Sequence, residues 1–508
     1  MALMLQILFT ETFRMRKHIS NWIRAVVFLL ILIISLYGIN QVIMPKYILK
    51  NSTWPTTSSY NQFYEMAENS IDVLFFGSSV AVNAFSPQEI YNDYGIRSYN
   101  LGSEQQSIFL SYYWLKEALR FQTPQVVVLD TRFLFELHPE DKINTVESLT
   151  RKCLDPMKWS EVKREAVSEL CNIDESQSEM SYYLKNIRFH TRWSGLEEYD
   201  FVTEETQYSP LKGYSPIATY GPESYATFTS SGDTETKQEP QEVMQVYLDK
   251  MVDLCKTEGI QLVLVSLPNN LMNDAINNTL TAYANDNNID YYNMCETSLY
   301  NSIGAELPRE SMLDHENLWG AMKMSQYVGG LLQDTYHVAA VKDEQYESTR
   351  EFYDHIIKNC ELTHITDINE YLQAIDDDNY TVFISVRDDA TGGLTDETKS
   401  GLSALGLCDL TDKYRWRYVA VISPENGVQE NLSENSPATL SGSIRNRNTF
   451  YTINSCGYLA AQSSSIIIDG TEYCRNTRGL NFVIYDNELM KVIDKVTFDT
   501  CGGSEAAR

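Results

Sequence analysis

Apolar residues recur along this chain in three rhythms, and each rhythm predicts a different kind of element. The first is an unbroken run, Ala25 to Ile39 (AVVFLLILIISLYGI), with no charged or strongly polar side chain. Taken from Trp22 to Met44 it is long enough to cross a bilayer as one helix. The second rhythm alternates short apolar runs with amphipathic stretches. Strands are expected at Val73 to Phe76, at RSYNLG, at Val126 to Asp130 and at Gln261 to Leu267. Helices are expected near Ser86 to Tyr94, at Ser107 to Arg120 and at Val243 to Lys256, the last closed by Gly259. Strands alternating with helices predict an α/β domain built on a parallel sheet with crossover helices. The third rhythm begins near Ala339. A helical lead-in, Asp343 to Leu372, gives way to short strands at Tyr380 to Val386, Tyr418 to Ser423, Ser465 to Ile468, Leu480 to Tyr485 and Val492 to Phe498. Gly, Asn and Asp turns separate them, the pattern of a mixed, β-sandwich-like domain.

These rhythms divide the chain into an N-terminal segment 1–21, a transmembrane helix 22–44, a spacer 45–70 and an α/β domain 71–336, with a second domain at 337–508. The spacer (PKYILKNSTWPTTSSY at its start) is polar and Pro-containing, and is expected to lift the next domain off the membrane. Between about 137 and 239 the α/β rhythm lapses into polar, Tyr-rich, Gly/Pro-punctuated sequence. That stretch reads as an insertion over the sheet's active edge, either a carrier of substrate-binding loops or a plain surface excursion.

Charge narrows the range of partners. The chain carries 40 basic and 69 acidic residues, a net charge of −29, which argues against nucleic acid, whose phosphates require clustered Lys and Arg. Arg14, Arg16, Lys17, His18 and Arg24 precede the apolar run, and only Lys46 and Lys50 follow closely. The positive-inside rule then places the N-terminus in the cytoplasm and the bulk of the chain outside the plasma membrane. A cleaved signal peptide is the rival reading, but no small-x-small cleavage site follows the run. Met15 would open a more usual leader than Met1. There are nine cysteines and no zinc-type spacing. Five of them (Cys360, Cys408, Cys456, Cys474, Cys501) fall in the last domain, so one or two disulfides are expected there.

Candidate chemistry sits at two places in the α/β domain. In Asp72 to Phe85 (DVLFFGSSVAVNAF) an apolar strand stops at Gly77, and two serines open a helix. The carboxyl end of a central strand is where open α/β sheets hold their reactive groups. In MLDHENLWGAMKMS, His315 lies just before an amphipathic helix, Asp314 precedes it, and Gly320 and Ala321 let that helix pack closely. A serine hydroxyl needs a base to take its proton, imidazole is the usual one, and a carboxylate fixes the ring's tautomer.

The motifs Gly77-Ser78-Ser79, Asn100-Leu101-Gly102 and His315-x-Asn317-x-x-Gly320-Ala321, in that order, resemble the SGNH (GDSL-like) hydrolase superfamily. The likeness is to its membrane-anchored bacterial branch that acts on cell-surface polysaccharides, and it runs from about Asp72 to Leu332. It implies Ser79 as nucleophile, His315 as base, and the N–H groups of Ser79 and Gly102 as the oxyanion hole. Two features depart from the pattern. The strand ending LDTRFLF lacks the family's oxyanion Asn, and position 312, where the family commonly has its acid, is Met. Adjacent residues do not readily bring a carboxylate to the ring's far nitrogen, so the acid is either Asp314 or absent, leaving a Ser–His dyad.

In the last domain NYTVFISVRDDATGGLTDE, LSALGL and IIIDGTEYCRNTRGLNFVIYDNELMKVIDKVTFDT resemble the interleukin-like EMT inducer (ILEI/PANDER) domain over most of 360–503. That resemblance implies a carbohydrate-recognition or interaction module. Arg387, Asp388, Arg478 and Asn481 are its polar motif residues, either facing a ligand or stitching turns to the sheet. Together the two resemblances imply a serine esterase or O-acyltransferase (O-acetyl being the expected group) on a cell-surface polysaccharide or other acylated glycan. No cofactor or metal is implied. A transferase would also need a polytopic membrane partner to deliver its acyl donor. The opposing reading is a degenerate scaffold that binds polysaccharide or a partner protein without catalysis.

Overall fold

The computed structural model describes residues 2–43, 57–136, 142–144, 146–184, 186–196, 198–201, 210–220, 227–306, 310–312, 314–444, 448–456, 462–502 and 506–508. They divide into two compact units, Met1–Pro216 with Tyr220–Thr349, and Ile217–Thr219 with Arg350–Arg508. The expected spacer lies outside the described residues up to position 56.

The first unit opens with one long helix, α1 (Ala2–Ile43), which joins the segments expected as a separate 1–21 and 22–44. Its stretch Asn21–Asn40 is long and apolar enough to cross a membrane, and none of it is buried. The next described element is α2 (Thr57–Phe63). The α/β rhythm then yields β1 (Val73–Phe76), α3 (Ser79–Ala84), α4 (Pro87–Tyr94), β2 (Ser98–Asn100), α5 (Ile108–Ala118) and β3 (Val126–Asp130). Next come α6 (Glu147–Leu154), α7 (Glu161–Ile173), α8 (Glu179–Tyr183) and α9 (Asn186–Phe189), followed by 3-10 turns at His190–Gly195 and Glu198–Phe201. After them come α10 (Glu242–Glu258), β4 (Gln261–Ser266), α11 (Asp274–Asn287), β5 (Asp290–Asn293) and α12 (Thr297–Ile303). The hairpin β6 (Ser311–Met312) and β7 (His315–Glu316), α13 (Leu318–Asp334) and α14 (Glu344–Glu347) complete the unit.

The strands form one five-stranded sheet in the order β2-β1-β3-β4-β5, every neighbouring pair parallel. Period-two alternation within the apolar runs explains why both faces are covered. Leu74, Phe76, Val127, Leu129, Leu262 and Leu264 point into one core, with Trp114 of α5 and Met251 of α10. Val73, Phe75, Val126, Val128, Val263 and Val265 point into the other, with Met324 and Val328 of α13. The strand order reverses between β1 and β3, and a doubly wound sheet opens a crevice at such a reversal.

Two boundaries differ from the sequence expectation. Residues 57–70, assigned to the spacer, are part of the fold: Tyr60 and Phe63 are fully buried, and Tyr60 stacks on Trp114 at 4.3 Å between ring centroids. The polar residues around them masked those two anchors. The unit also extends past 336 to Thr349, since Tyr346 is buried and its hydroxyl donates to the Ser98 carbonyl at 2.8 Å. Part of the expected insertion is likewise core. Cys153, Leu154, Ala166, Val167, Leu170 and Tyr182 all join the cluster around Trp114.

The second unit begins with α15 (Arg350–Leu362), α16 (Ile368–Ala374), β8 (Tyr380–Arg387), α17 (Asp396–Ala404) and β9 (Arg417–Ser423). It continues through β10 (Gly427–Ser433), β11 (Ala438–Ile444), β12 (Thr449–Ser455), β13 (Ser464–Ile468), β14 (Thr471–Glu472), β15 (Gly479–Asp486), β16 (Lys491–Phe498) and β17 (Ala506–Ala507). Six strands pair antiparallel as β10-β9-β8-β15-β16-β17, and four more as β11-β12-β13-β14. Alternation along β8 sends Val382, Ile384 and Val386 against Leu362, Leu372 and Leu402 of the helices. Phe383 faces Ile453 and Ile466 of the smaller sheet. The result is a helical layer, a large sheet and a small sheet, with two antiparallel sheets face to face as expected of a sandwich. The expected disulfides are not formed: all nine cysteines are free thiols.

Replacing Tyr60 by Ala should lower the stability of the first unit by about 3–5 kcal/mol, the usual loss for a large buried aromatic. Urea unfolding of the full chain reads this out. An unchanged midpoint would return residues 57–63 to the role of a spacer.

Candidate active site

β1 ends at Gly77, with φ at +152°, and an added Cβ there would fall 2.6 Å from the Asp130 Cβ and 2.8 Å from the Ala81 Cβ. Only glycine lets β3 and the first turn of α3 close so tightly on the strand end. The turn delivers Ser78 as the cap of α3 and Ser79 as its first residue. Every residue from Ser70 to Tyr91 is buried except Ser79. Ser79 is therefore the one half-buried residue in an otherwise buried elbow.

Ser79 Oγ lies 2.8 Å from His315 Nε2. On the far side of the ring, His315 Nδ1 is 2.9 Å from Asp314 Oδ1. A carboxylate at Nδ1 needs a donor, so the proton sits on Nδ1, and Nε2 offers its lone pair to the Ser79 O–H. The sequence objection to a carboxylate adjacent to the histidine does not hold. β6 and β7 pair with Met312 opposite His315, so a two-residue turn connects them and Asp314 is its second corner. A turn this tight folds the Asp314 side chain back along the ring, where an extended strand would point it to the opposite face.

Arg132 holds the other carboxylate oxygen, its Nη2 donating to Asp314 Oδ2 at 2.5 Å, and also pairs with Glu136. The bond to His315 and the Arg132 charge hold the Asp314 carboxyl well below the usual carboxylate range. Asp314 is thus ionised wherever imidazole can act as a base. Arg132 and Glu136 escaped the sequence reading. Their only signal was that LDTRFLF follows the strand next to β1.

Asp130 behaves in the opposite sense. Burial raises its pKa from 3.8 to about 6, against the pull of Arg132. Ser78 Oγ donates to its Oδ2 at 3.3 Å, and the Arg132 N–H to its Oδ1 at 3.3 Å. It braces the elbow from the last position of β3, the strand after which the resemblance implies an oxyanion Asn.

Gly102 lies against the same elbow, and an added Cβ would come within 3.0 Å of the Gly77 carbonyl. Its N–H donates to Asn100 Oδ1 at 3.0 Å. The Asn100 amide donates in turn to the Ala81 and Phe85 carbonyls, at 2.9 and 3.1 Å, tying the end of β2 to α3. A strap from the insertion backs this assembly. The Asn100 N–H donates to the Lys212 carbonyl at 2.9 Å, the Ser215 N–H to Val82 at 3.1 Å, and the Asn83 amide to the Ser215 carbonyl at 2.7 Å. Lys212 itself is buried, donates to Thr349 Oγ1 at 2.6 Å, and burial pushes its pKa down to about 7. Asn317 accepts from the Gly320 N–H at 3.3 Å and caps α13 directly behind the base.

The four polar residues singled out in the second unit are engaged within it. Arg387 Nε donates to the Gln462 carbonyl at 2.6 Å, and Asp388 Oδ1 lies 3.4 Å from Arg415 Nε. Arg478 pairs with Asp499 at 2.7 Å. Asn481 is buried and bonds Thr477 and Thr497. Arg387 and Asn481 tie loops to the sheet, and the other two pairs join loop to loop. Among the described residues no group of His, Cys, Asp and Glu is disposed to hold a metal ion.

No family model matches the chain, and no curated protein matches it. Among solved structures it is similar to a putative acylhydrolase from Bacteroides fragilis NCTC 9343, at 14% identity over 54% of this chain and 94% of that one, TM-score 0.25. It is also similar to a GDSL-like lipase from Bacteroides thetaiotaomicron VPI-5482, at 12% identity over 55% of this chain and 98% of that one, TM-score 0.25. The chemistry is read from the site's own geometry.

An aspartate whose folded pKa is raised contributes stability below its unfolded pKa and loses it as pH climbs through the folded value. Asp130 therefore destabilises the first unit increasingly between pH 4 and about 6. Asp130→Asn removes that ionisation. Its stability relative to wild type should improve as pH rises from about 4 to about 6 and level off above, by ~3 kcal/mol in all at 1.36 kcal/mol per pKa unit. A pH-independent difference between the two proteins would refute this.

Proposed function

We propose that the first unit is a serine acyl-transfer enzyme, an esterase or O-acyltransferase that works through an acyl-enzyme on Ser79. The observation carrying this reading is the continuous relay Ser79–His315–Asp314, with hydrogen-bonding distances of 2.8 and 2.9 Å, at the one exposed point of a buried elbow. His315 Nε2 takes the Ser79 proton as Oγ attacks an ester carbonyl, and the imidazolium then returns that proton to the departing alcohol. The Ser79 N–H opens α3 and, like the first N–H groups of any helix, has no acceptor inside it. It is the primary oxyanion donor. The Gly102 N–H joins it when Asn100 Oδ1 yields to the stronger, charged acceptor. Water or a sugar hydroxyl then takes the acyl group, giving hydrolysis or transfer.

A cell-surface glycan is the proposed substrate. Trp319, on the first turn of α13 beyond the base, and Tyr220 from the insertion have ring centroids 5.2 Å apart. Trp319 is four residues along the chain from His315, and aromatic faces suit the apolar face of a sugar ring. The α1 helix is proposed as a membrane anchor with the remainder of the chain extracellular. The second unit is proposed as a glycan- or protein-binding module, and a polytopic partner would supply the donor in the transferase case.

A fluorophosphonate probe should label the wild-type protein and leave Ser79→Ala unlabelled. Absence of labelling in both would sink the enzyme reading and favour a binding scaffold. Asp314→Asn should keep the fold and slow probe labelling and acetyl-ester hydrolysis by about 10²–10⁴-fold, because the ring loses its tautomer control. A loss below about tenfold would mean that Ser79 and His315 act as a dyad.

A further inference from the structure

The end of α1 is received by the insertion. Along α1, residues 21–39 are exposed throughout, whereas Asn40, Val42 and Ile43 are half-buried. What covers them is α9 and the two 3-10 turns that follow it, all in contact with α1. Arg192 donates to the Ile43 carbonyl, one of those a helix leaves open at its end, and pairs with Asp200 at 2.8 Å.

The same short elements show an unusual surface. Met180, Leu184, Ile187, Trp193 and Phe201 are exposed by 52, 55, 46, 71 and 62%. Isolated exposed apolar side chains are ordinary, but five within one contiguous stretch of α8, α9 and the 3-10 turns are not. The stretch does not float free. Tyr182 of α8 is fully buried, with the Arg151 guanidinium 3.8 Å from its ring centroid. One side of α8 is thus pinned into the core while Met180 faces out. Asn186–Gly195 (NIRFHTRWSG) holds Arg188, His190 and Arg192 and no acidic residue, in a chain of net charge −29. Arg188 lies 3.4 Å from Glu147 and remains 45% exposed.

We infer that this surface is a membrane-resting pad, in which the apolar side chains of α8, α9 and the 3-10 turns enter the headgroup–acyl boundary of the bilayer that α1 crosses. The inference rests on the reading of α1 as a membrane helix. Continuity decides the occupant. The pad surrounds the last residues of the apolar span, the level at which a bilayer ends, and Trp, Phe and basic residues are those that settle at that boundary. The consequence is mechanical. The first unit is held against the lipid surface by the insertion instead of swinging from the chain between α1 and α2.

The test uses the full chain reconstituted in phosphatidylcholine–phosphatidylglycerol nanodiscs containing a lipid with a diazirine in its upper acyl chain. After irradiation, peptides are mapped by mass spectrometry. Adducts are expected on α1 and on 180–201, and not on the exposed segment 231–239. Replacing Leu184, Ile187, Trp193 and Phe201 together by Ser should abolish the adducts on 180–201 and preserve those on α1. Adducts on α1 without any on 180–201, or unchanged adducts in the serine variant, would overturn the pad and leave the anchor standing. No adducts on α1 would overturn both.

Discussion

The first unit depends on one close approach, that of β3 and α3 to the end of β1 at Gly77. A parallel sheet places its strand ends side by side, but an ordinary residue at this position would collide with both the Asp130 and the Ala81 side chains. Because the approach closes, the whole elbow is buried and only Ser79 reaches solvent. The same closure brings Arg132, one residue beyond Thr131 at the end of β3, within reach of Asp314. Backbone sterics at one glycine therefore set both the access of the proposed nucleophile and the orientation of its relay.

Electrostatics separates the two carboxylates of this elbow. Asp130 is sealed from water and bonded only by weak or neutral donors, so its charged form is disfavoured. Asp314 meets a guanidinium and an imidazole, so its charged form is favoured. Two carboxylates whose environments push them apart take different roles. The proposed relay uses Asp314 to orient the ring, and Asp130 bonds the turn at Ser78. Glu136 pairs with Arg132, so the cationic side of the relay is balanced and does not draw Asp314 away from the ring.

Legibility in the sequence followed the strength of the local signal. β1, β3 and β4 were plain because strands buried on both faces read as continuous apolar runs bounded by Gly and Pro. Ser79 and His315 were legible because strand-end serines and pre-helix histidines have few other uses together. The Ser- and Thr-rich strands β10, β11 and β12 carried little apolar alternation and were not read, although they complete the second unit. The helices at 147–183 were missed because charged exteriors outnumber the inward-facing Ala166, Val167 and Leu170. Strand alternation argues against Asp314 as the orienting acid. Alternation along an extended strand separates neighbouring side chains, but a two-residue turn breaks that alternation. Arg132 had no signal beyond its place just after β3, since its contact with Asp314 exists only once β3 and the β6–β7 hairpin meet.

The insertion gathers what would otherwise be three separate properties. Its first part, through Leu170 and Tyr182, completes the core around Trp114. Its middle meets the end of α1. Its last described part before Pro216 backs α3 and β2, and there Lys212 and Gly213 leave no slack: a Cβ at Gly213, whose φ is +89°, would fall 1.8 Å from the Asn100 carbonyl oxygen. The Asn100 that the strap fixes from behind is the same residue that holds the Gly102 N–H and the α3 carbonyls. Three hydrogen bonds join this strap to the end of β2 and to α3. This is why a segment that reads as a surface excursion is inseparable from the chemistry it borders.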